Sequence, residues 1–417
     1  MNAFIILIVL SLIILLGAFG ELFFRKTGVP DVIWLMIFGF VIENFFNLAN
    51  SSAIMAVIPV FVILTLIIIL FDGGLNLKLG SLVKNSVPGL GLAIFYFIFS
   101  ILFVTGLTYL LHTIGILPNW NVWSGVILGA ILGGTSSVIV MPLVSLARLD
   151  EKIQDILSVE SAFNDALCIV VVFTILDYLQ VSGQSDLSII FKNIAASFAI
   201  GIVLGVAVGL IWLYVLKKFS SEKTTEQYFY VFSLALLILL YVLTESLGGS
   251  AVIAIFVFGL IMGSSEFINR IFKTDLYVAS EEIHIINRQI AFLIKSFFFV
   301  LIGLLFVFVL NSFLIAIGLA IFLVLARYIS IVAIKTTRNF MYSERSLLYY
   351  FAPKGLAAGI LAISISSSTV LMGAGDIVNI VFSVIIISIV ISTIALFLYK
   401  RKNKVVNSEQ VPESIKA

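Results

Sequence analysis

The stretch VESAFNDALCIVVVF, Val159–Phe173, sets Glu160, Ser161, Asn164 and Asp165 at the head of a run otherwise composed for lipid. At 100° per residue, Glu160 stacks on Asn164 and Ser161 on Asp165, and the two pairs face directions about 100° apart. Ionised groups at bilayer depth are costly, and they persist where they line an ion path or find a buried partner. One side of this helix can face a cavity while the other packs into protein. Ser161 and Asp165 are assigned to the cavity, Glu160 and Asn164 to the interior. Arg327 keeps its charge and can pair bidentately, which makes it the natural partner of the inward carboxylate. That pair serves either as a strut or as part of a functional site.

Other polar residues fall at similar depth. The rise of about 1.5 Å per residue puts Thr135, Ser136 and Ser137, in GAILGGTSSVIVMP, near the centre of their span. Asp165 lies near the centre of its own. Arg327 sits slightly inside, and Lys295 and Lys354 lie roughly 6–8 Å toward the cytoplasmic side. Asp165 therefore has no cationic partner at its level unless Lys295 reaches it. Lys295 and Lys354 either modulate the site or snorkel toward the interface. A carboxylate, hydroxyls and unwound carbonyls make an all-oxygen shell that suits a hard alkali cation. A proton and a metal ion compete for one such desolvated carboxylate, so alternating access of that single group would exchange them.

The elements that must position these groups are helices in a membrane. Of the 417 residues 62% are hydrophobic and only 11% charged, well below the about 25% of soluble domains. One cysteine and two histidines exclude a disulfide framework, a cysteine metal cluster, and a haem or zinc site. No cofactor and no nucleic-acid partner is expected. Nor is an enzyme: GAGD (Gly373–Asp376) matches the short pattern of intramembrane aspartyl proteases, but no Tyr-Asp sits at matching depth. The first apolar run lacks a basic leader and a small-residue cleavage site and reads as a retained helix.

Apolar runs of about 20 residues fall near 3–24, 30–48, 54–72, 87–111, 122–146, 156–178, 189–215, 227–247, 250–265, 289–310, 312–335, 346–371 and 376–399. Lys and Arg alternate sharply between the two sets of connections, which predicts thirteen spans with the N-terminus outside and the C-terminus cytoplasmic. The expected fold is an all-α polytopic membrane protein: a single transmembrane domain over 1–400 and a short cytoplasmic tail over 401–417. Thirteen spans with opposite-facing ends suit two inverted six-helix repeats, about 3–178 and 227–399, joined by a linker helix at 189–215. Spans 5 and 12 then correspond. Both are glycine-interrupted and hydroxyl-rich (Gly129–Pro142 and Pro353–Ser368), which points to broken helices around a midplane site. Gly201, Gly205 and Gly209, by contrast, form a stripe for close helix packing.

The motif order TGVPDVIWLMIFGFVI, LFDGGLNLKL, GGTSSVIVMPL, VESAFNDAL, KSFFFVLIGLLF, LARYISI and PKGLAAGI resembles the monovalent cation:proton antiporters, in particular the NhaP-type sodium/proton branch. The likeness runs over nearly the whole chain, and its most specific part is Glu-Ser-x-x-Asn-Asp. It implies exchange of Na⁺ or K⁺ for H⁺ in a prokaryotic plasma membrane by a homodimer. In each protomer a panel of helices scaffolds a core that moves as a rigid body, with the broken helices 5 and 12 crossing at the site. It further implies Asp165 as carrier, Asn164 as the electroneutral-type partner, Ser161 as ligand and Glu160–Arg327 as the stabilising pair. The resulting ion and proton set is Asp165, Ser161, Asn164, Thr135 and Ser136, with Asp165, Ser161 and Thr135 holding the transported alkali cation. Three positions depart from the pattern: Thr135-Ser136-Ser137 stands where many members have Thr-Asp-Pro, Lys354 where many have Arg, and Lys295 accompanies Asn-Asp rather than a double Asp. The main rival is a sodium-coupled symporter of a small organic solute, for which Lys295, Arg327 and Lys354 could bind an anion. A passive cation channel would conduct without moving protons.

Overall fold

The computed structural model describes residues 3–46, 52–77, 79–181, 187–220, 228–334, 342–366 and 371–409. Among them are only helices and their connections: α1 (Ala3–Thr27), α2 (Asp31–Phe46), α3 (Ser52–Asn76), α4 (Leu79–Thr113), α5 (Val122–Leu132), α6 (Ser137–Ala147), α7 (Glu151–Val181) and α8 (Leu187–Phe219). There follow α9 (Phe229–Ser246), α10 (Ala251–Gly263), α11 (Ser265–Phe272), α12 (Glu281–Leu305), α13 (Leu310–Ala333), α14 (Tyr342–Leu348), α15 (Leu356–Ile365) and α16 (Ala374–Glu409). Each of the thirteen apolar runs overlaps a helix or a broken pair. Among the described residues, eight single helices are long and apolar enough to cross a membrane, ten if each of two bent pairs counts as one span. The protein is therefore a multi-span membrane protein.

Three local features depart from the expected boundaries. α7 begins at Glu151, where the Asp150 side chain accepts the Lys152 N–H at 2.8 Å and caps the first turn. α10 does not run straight on but gives way, after a 69° bend, to the short α11, whose Glu266 and Arg270 are exposed. α16 stays helical through Glu409, into the residues read as a tail; residues 410–417 lie outside the described part.

The helices sort into two groups. α3, α8, α9 and α10 pack together, as do α1, α2, α3 and α12, forming a panel; α4, α5, α6, α7, α13, α15 and α16 form a second body. The glycine stripe of α8 lies against α10, and a Cβ on Gly205 would stand 2.6 Å from the Ala254 carbonyl. Apolar burial has little to drive helix association in lipid, so this close backbone approach is what binds the pair. The most lipid-like stretch of α8 is only 17% buried, whereas that of α7 is 72% buried. α7 is thus a central helix and α8 a peripheral one, although both are long and apolar.

Candidate functional site

Both glycine-interrupted spans are broken. Gly133 and Gly134 are poor helix formers, so α5 stops at Leu132 and α6 sets off at 41° to it. Pro353 has no N–H with which to continue a helix, and residues 349–355 run non-helically from α14 to α15. The two unwound segments meet directly: the Ser136 N–H donates to the Pro353 carbonyl at 2.9 Å. Gly355 permits this approach, because a Cβ there would collide with the Ser136 side chain. Beside the contact, the Lys354 ammonium donates to the Gly134 carbonyl at 2.7 Å and to the Tyr96 hydroxyl at 2.6 Å. Its residue is 1% exposed, so it does not snorkel to an interface. A carbonyl left without a helix partner must find a donor in lipid, and the ammonium supplies it.

α7 presents its two mid-helix carboxylates, Glu160 and Asp165, to different surroundings. Glu160, 1% exposed, is held by Arg327, which is fully buried. Arg327 Nη2 donates to Glu160 Oε2 at 2.9 Å, Nη1 donates to Oε1, and Nε donates to the Leu348 carbonyl at 3.3 Å. The Thr135 hydroxyl donates to Glu160 Oε1 at 3.4 Å and accepts from the Asn164 amide at 3.4 Å. Asp165 is half-buried, and among the described residues no cation lies within salt-bridge distance of it; the Ser137 hydroxyl donates to its Oδ2 at 3.1 Å, and the Ser137 N–H lies against it. Ser137 is the first residue of α6, so the carboxylate faces the positive end of that helix's dipole. It opens into a small cavity walled by α3 and α10 on one side and by α6, α7 and α15 on the other. The cavity therefore lies on the seam between the two helix groups.

The geometry rearranges part of the expected ligand set. Ser161 does not share the cavity: it is fully buried and its hydroxyl donates to its own helix, at Ser158 O, 3.3 Å away. The cavity stripe of α7 is Ala162, Asp165 and Ile169. Round the helix, Ile169 and Ala162 lie about 40° and 60° to one side of Asp165 and Ser161 about 40° to the other, so Asp165 stands at the edge of the cavity stripe and Ser161 turns inward. Thr135 and Asn164 sit on the Glu160 side. The Ser136 hydroxyl and the Asn164 side-chain carbonyl oxygen are buried without a hydrogen-bond partner, which leaves two oxygens with open lone pairs near the break. Lys295 does not reach Asp165; it closes on Asp31 of α2 at 2.8 Å, with both side chains nearly buried.

Several residues of the site carry little signal in sequence. Tyr96 lies in an aromatic run of α4 whose other members give no hint of a buried hydroxyl contact. Gly73, one residue after the acid of LFDGGL, lines the cavity with nothing within 4 Å of where its Cβ would stand. Ser137 was flagged only as one of three hydroxyls, and its position at the start of α6 selects it. Asp31 follows Pro30 at a helix start, a signal for a cap rather than for an ion pair.

Residues 8–402 match the family described as "Sodium/hydrogen exchanger, transmembrane". The chain belongs to this family. The K(+)/H(+) antiporter NhaP2 of Shewanella sp. (strain ANA-3) is 28% identical over 207 residues, which is 48% of this chain but 34% of that protein. The chain thus aligns with about a third of the length of that relative. The Na(+)/H(+) antiporter ApNhaP of Aphanothece halophytica is 28% identical over 413 residues, covering 92% of the chain and 72% of that protein. The structure of the sodium proton antiporter MjNhaP1 from Methanocaldococcus jannaschii at pH 8 superposes with a TM-score of 0.74 at 19% identity, over 95% of this chain and 96% of that one. The fold of this exchanger-family chain is that of MjNhaP1.

Proposed function

We propose that the protein is a secondary antiporter that exchanges Na⁺ or K⁺ for H⁺ one-for-one by alternating access of Asp165. The observation that carries this reading is the division of labour along α7. Glu160 is neutralised by Arg327 and Asp31 by Lys295, whereas Asp165, at the cavity, is met by a hydroxyl and an N–H. A carboxylate so placed can hold a proton or a metal ion, and each displaces the other. Ser137 orients it, and the open oxygens of Ser136 and Asn164 are the nearest candidates to complete a cation's shell. Thr135 and Ser161 would contribute only if the break or α7 rotated. The seam position suits a core of α4–α7, α13, α15 and α16 sliding against the panel, in a homodimer of the prokaryotic plasma membrane. An N-terminus outside and a cytoplasmic C-terminus, with inverted repeats about the crossing, belong to the same reading.

Electroneutral exchange is supported by Lys295, whose charge is spent on Asp31 rather than offered to Asp165. The symporter reading loses its anion-binding groups, since Lys295, Arg327 and Lys354 are all engaged and none lines the cavity. The deciding experiment is exchange in proteoliposomes, following a ΔpH dye on addition of Na⁺, Li⁺ or K⁺ under clamped voltage. Wild type dissipates the gradient with at least one of these ions, and Asp165→Asn folds but does not. Wild-type-like exchange by Asp165→Asn overturns the assignment.

A further inference from the structure

The Glu160–Arg327 pair and the Lys354 contact are separated by one side chain. Tyr96 of α4 is fully buried, with the Arg327 guanidinium carbon 5.3 Å and the Lys354 ammonium 4.5 Å from the centre of its ring. Its hydroxyl accepts from that same ammonium. Among the described residues no carboxylate lies within salt-bridge distance of Lys354, so this buried charge rests on the Tyr96 hydroxyl and on the Gly134 carbonyl. Two like charges buried this close repel strongly in a medium of low dielectric. An aromatic ring attracts a cation at its face; Tyr96 meets Arg327 with its ring and Lys354 with its hydroxyl.

Resting on the exchange reading above, we propose that Tyr96 is a positioning residue for Asp165. Its ring and hydroxyl let Arg327 and Lys354 be buried side by side, and the hydroxyl holds the ammonium on the Gly134 carbonyl. Gly134 is three residues before Ser137, the donor to Asp165, and the Ser136 N–H between them is tied to Pro353. Tyr96 thereby fixes both the shape of the break and the distance at which the Lys354 charge acts on the cargo carboxylate. Tyr96 touches no cargo; it works through Lys354 and the break.

A double-mutant cycle tests this, with thermal unfolding in detergent and cation-driven proton movement in proteoliposomes as its two readouts. Tyr96→Phe keeps the ring but removes the hydroxyl from the buried ammonium, so it is expected to stay folded with a lowered unfolding temperature, while its half-saturating cation concentration moves by about threefold or more, a size typical of coupled neighbours. In a Lys354→Met background the same Tyr96→Phe change is expected to move that concentration no further. Tyr96→Leu removes the ring as well and is expected to lose folded protein, which Lys354→Met in the same chain restores by removing one of the two cations. Equal effects of Tyr96→Phe with and without Lys354 overturn the proposal, as does a Tyr96→Leu protein as stable as wild type. Should wild type show no exchange, the antiport reading fails by itself, while the unfolding cycle still reports whether Tyr96 and Lys354 act as a unit.

Discussion

The panel and the core both bury carboxylates, and they treat them differently. In the panel, Asp31 closes on Lys295, and Asp72 of α3 accepts from the Asn287 amide at 2.6 Å and from Asn76 at 2.9 Å, while the Tyr230 hydroxyl donates to Asn287 at 3.2 Å. These groups join helices within one body. In the core, α7 divides: Glu160 is consumed by Arg327, and Asp165, five residues on, is left to a hydroxyl at the edge of a cavity. The difference lies in where each acid sits relative to the seam. An acid inside a body can be satisfied once and for all, whereas an acid at the seam faces a surface that can change. Burial alone therefore does not set Asp165 apart from the other acids; its incomplete partner set at the seam does, and the proposed exchange rests on that.

The comparison can be broken at several points. The largest effect is expected from Arg327→Ala, which leaves Glu160 charged in the interior at a cost of about 3–5 kcal/mol. Folded yield in detergent should collapse, and Glu160→Gln in the same chain should recover part of it. Two single variants as stable as wild type would show that the pair is not a strut. Next comes Gly73→Leu. Nothing stands near its Cβ position, so stability should move by less than about 0.5 kcal/mol, yet the added side chain enters the cavity and exchange should fall about tenfold. Unchanged exchange would mean that the cargo takes another route.

Asp31→Asn strips Lys295 of its partner and should lower stability by about 3 kcal/mol, the low end for a broken buried pair because both side chains keep some exposure, with exchange per folded molecule within about twofold of wild type. Combining it with Lys295→Met should restore stability and leave exchange insensitive to clamped voltage. A voltage dependence that appeared or vanished with Lys295 would place that lysine in the transport cycle and dissolve the contrast between panel and core. The smallest effect is expected from Tyr230→Phe, which removes one hydrogen bond worth about 1 kcal/mol from the panel cluster. Thermal unfolding should register it, and transport should not.

Much of this was legible before any coordinates. Hydrophobic runs of membrane length must be helices, because no water satisfies the backbone in lipid, and each run overlaps helix, though several boundaries shift. The glycine interruptions in Gly129–Pro142 and Pro353–Ser368 pointed to the broken spans, and the i,i+4 stacking on α7 separated two directions of approach. Glu160 with Arg327 followed from charge alone, since each residue was the other's best available partner. What did not follow were distances across the bundle. Ser161 stacks with Asp165 on a helical wheel, yet the cavity lies on the other side of Asp165, over Ala162 and Ile169. Lys295 was within range of Asp165 by depth, but depth is one coordinate and says nothing of which neighbour stands across the gap.

The sequence by itself determined which segments lie in the membrane, where they must break, and which side chains are too costly to bury without purpose, because these depend on local chemistry and on the bilayer. Only the tertiary structure decided that Asp165 faces the seam with Ser137, that Lys354 turns inward onto Gly134 and Tyr96, and that Lys295 belongs to Asp31. Those outcomes depend on the rotation and spacing of helices distant in the chain, which close packing sets and which no local pattern encodes.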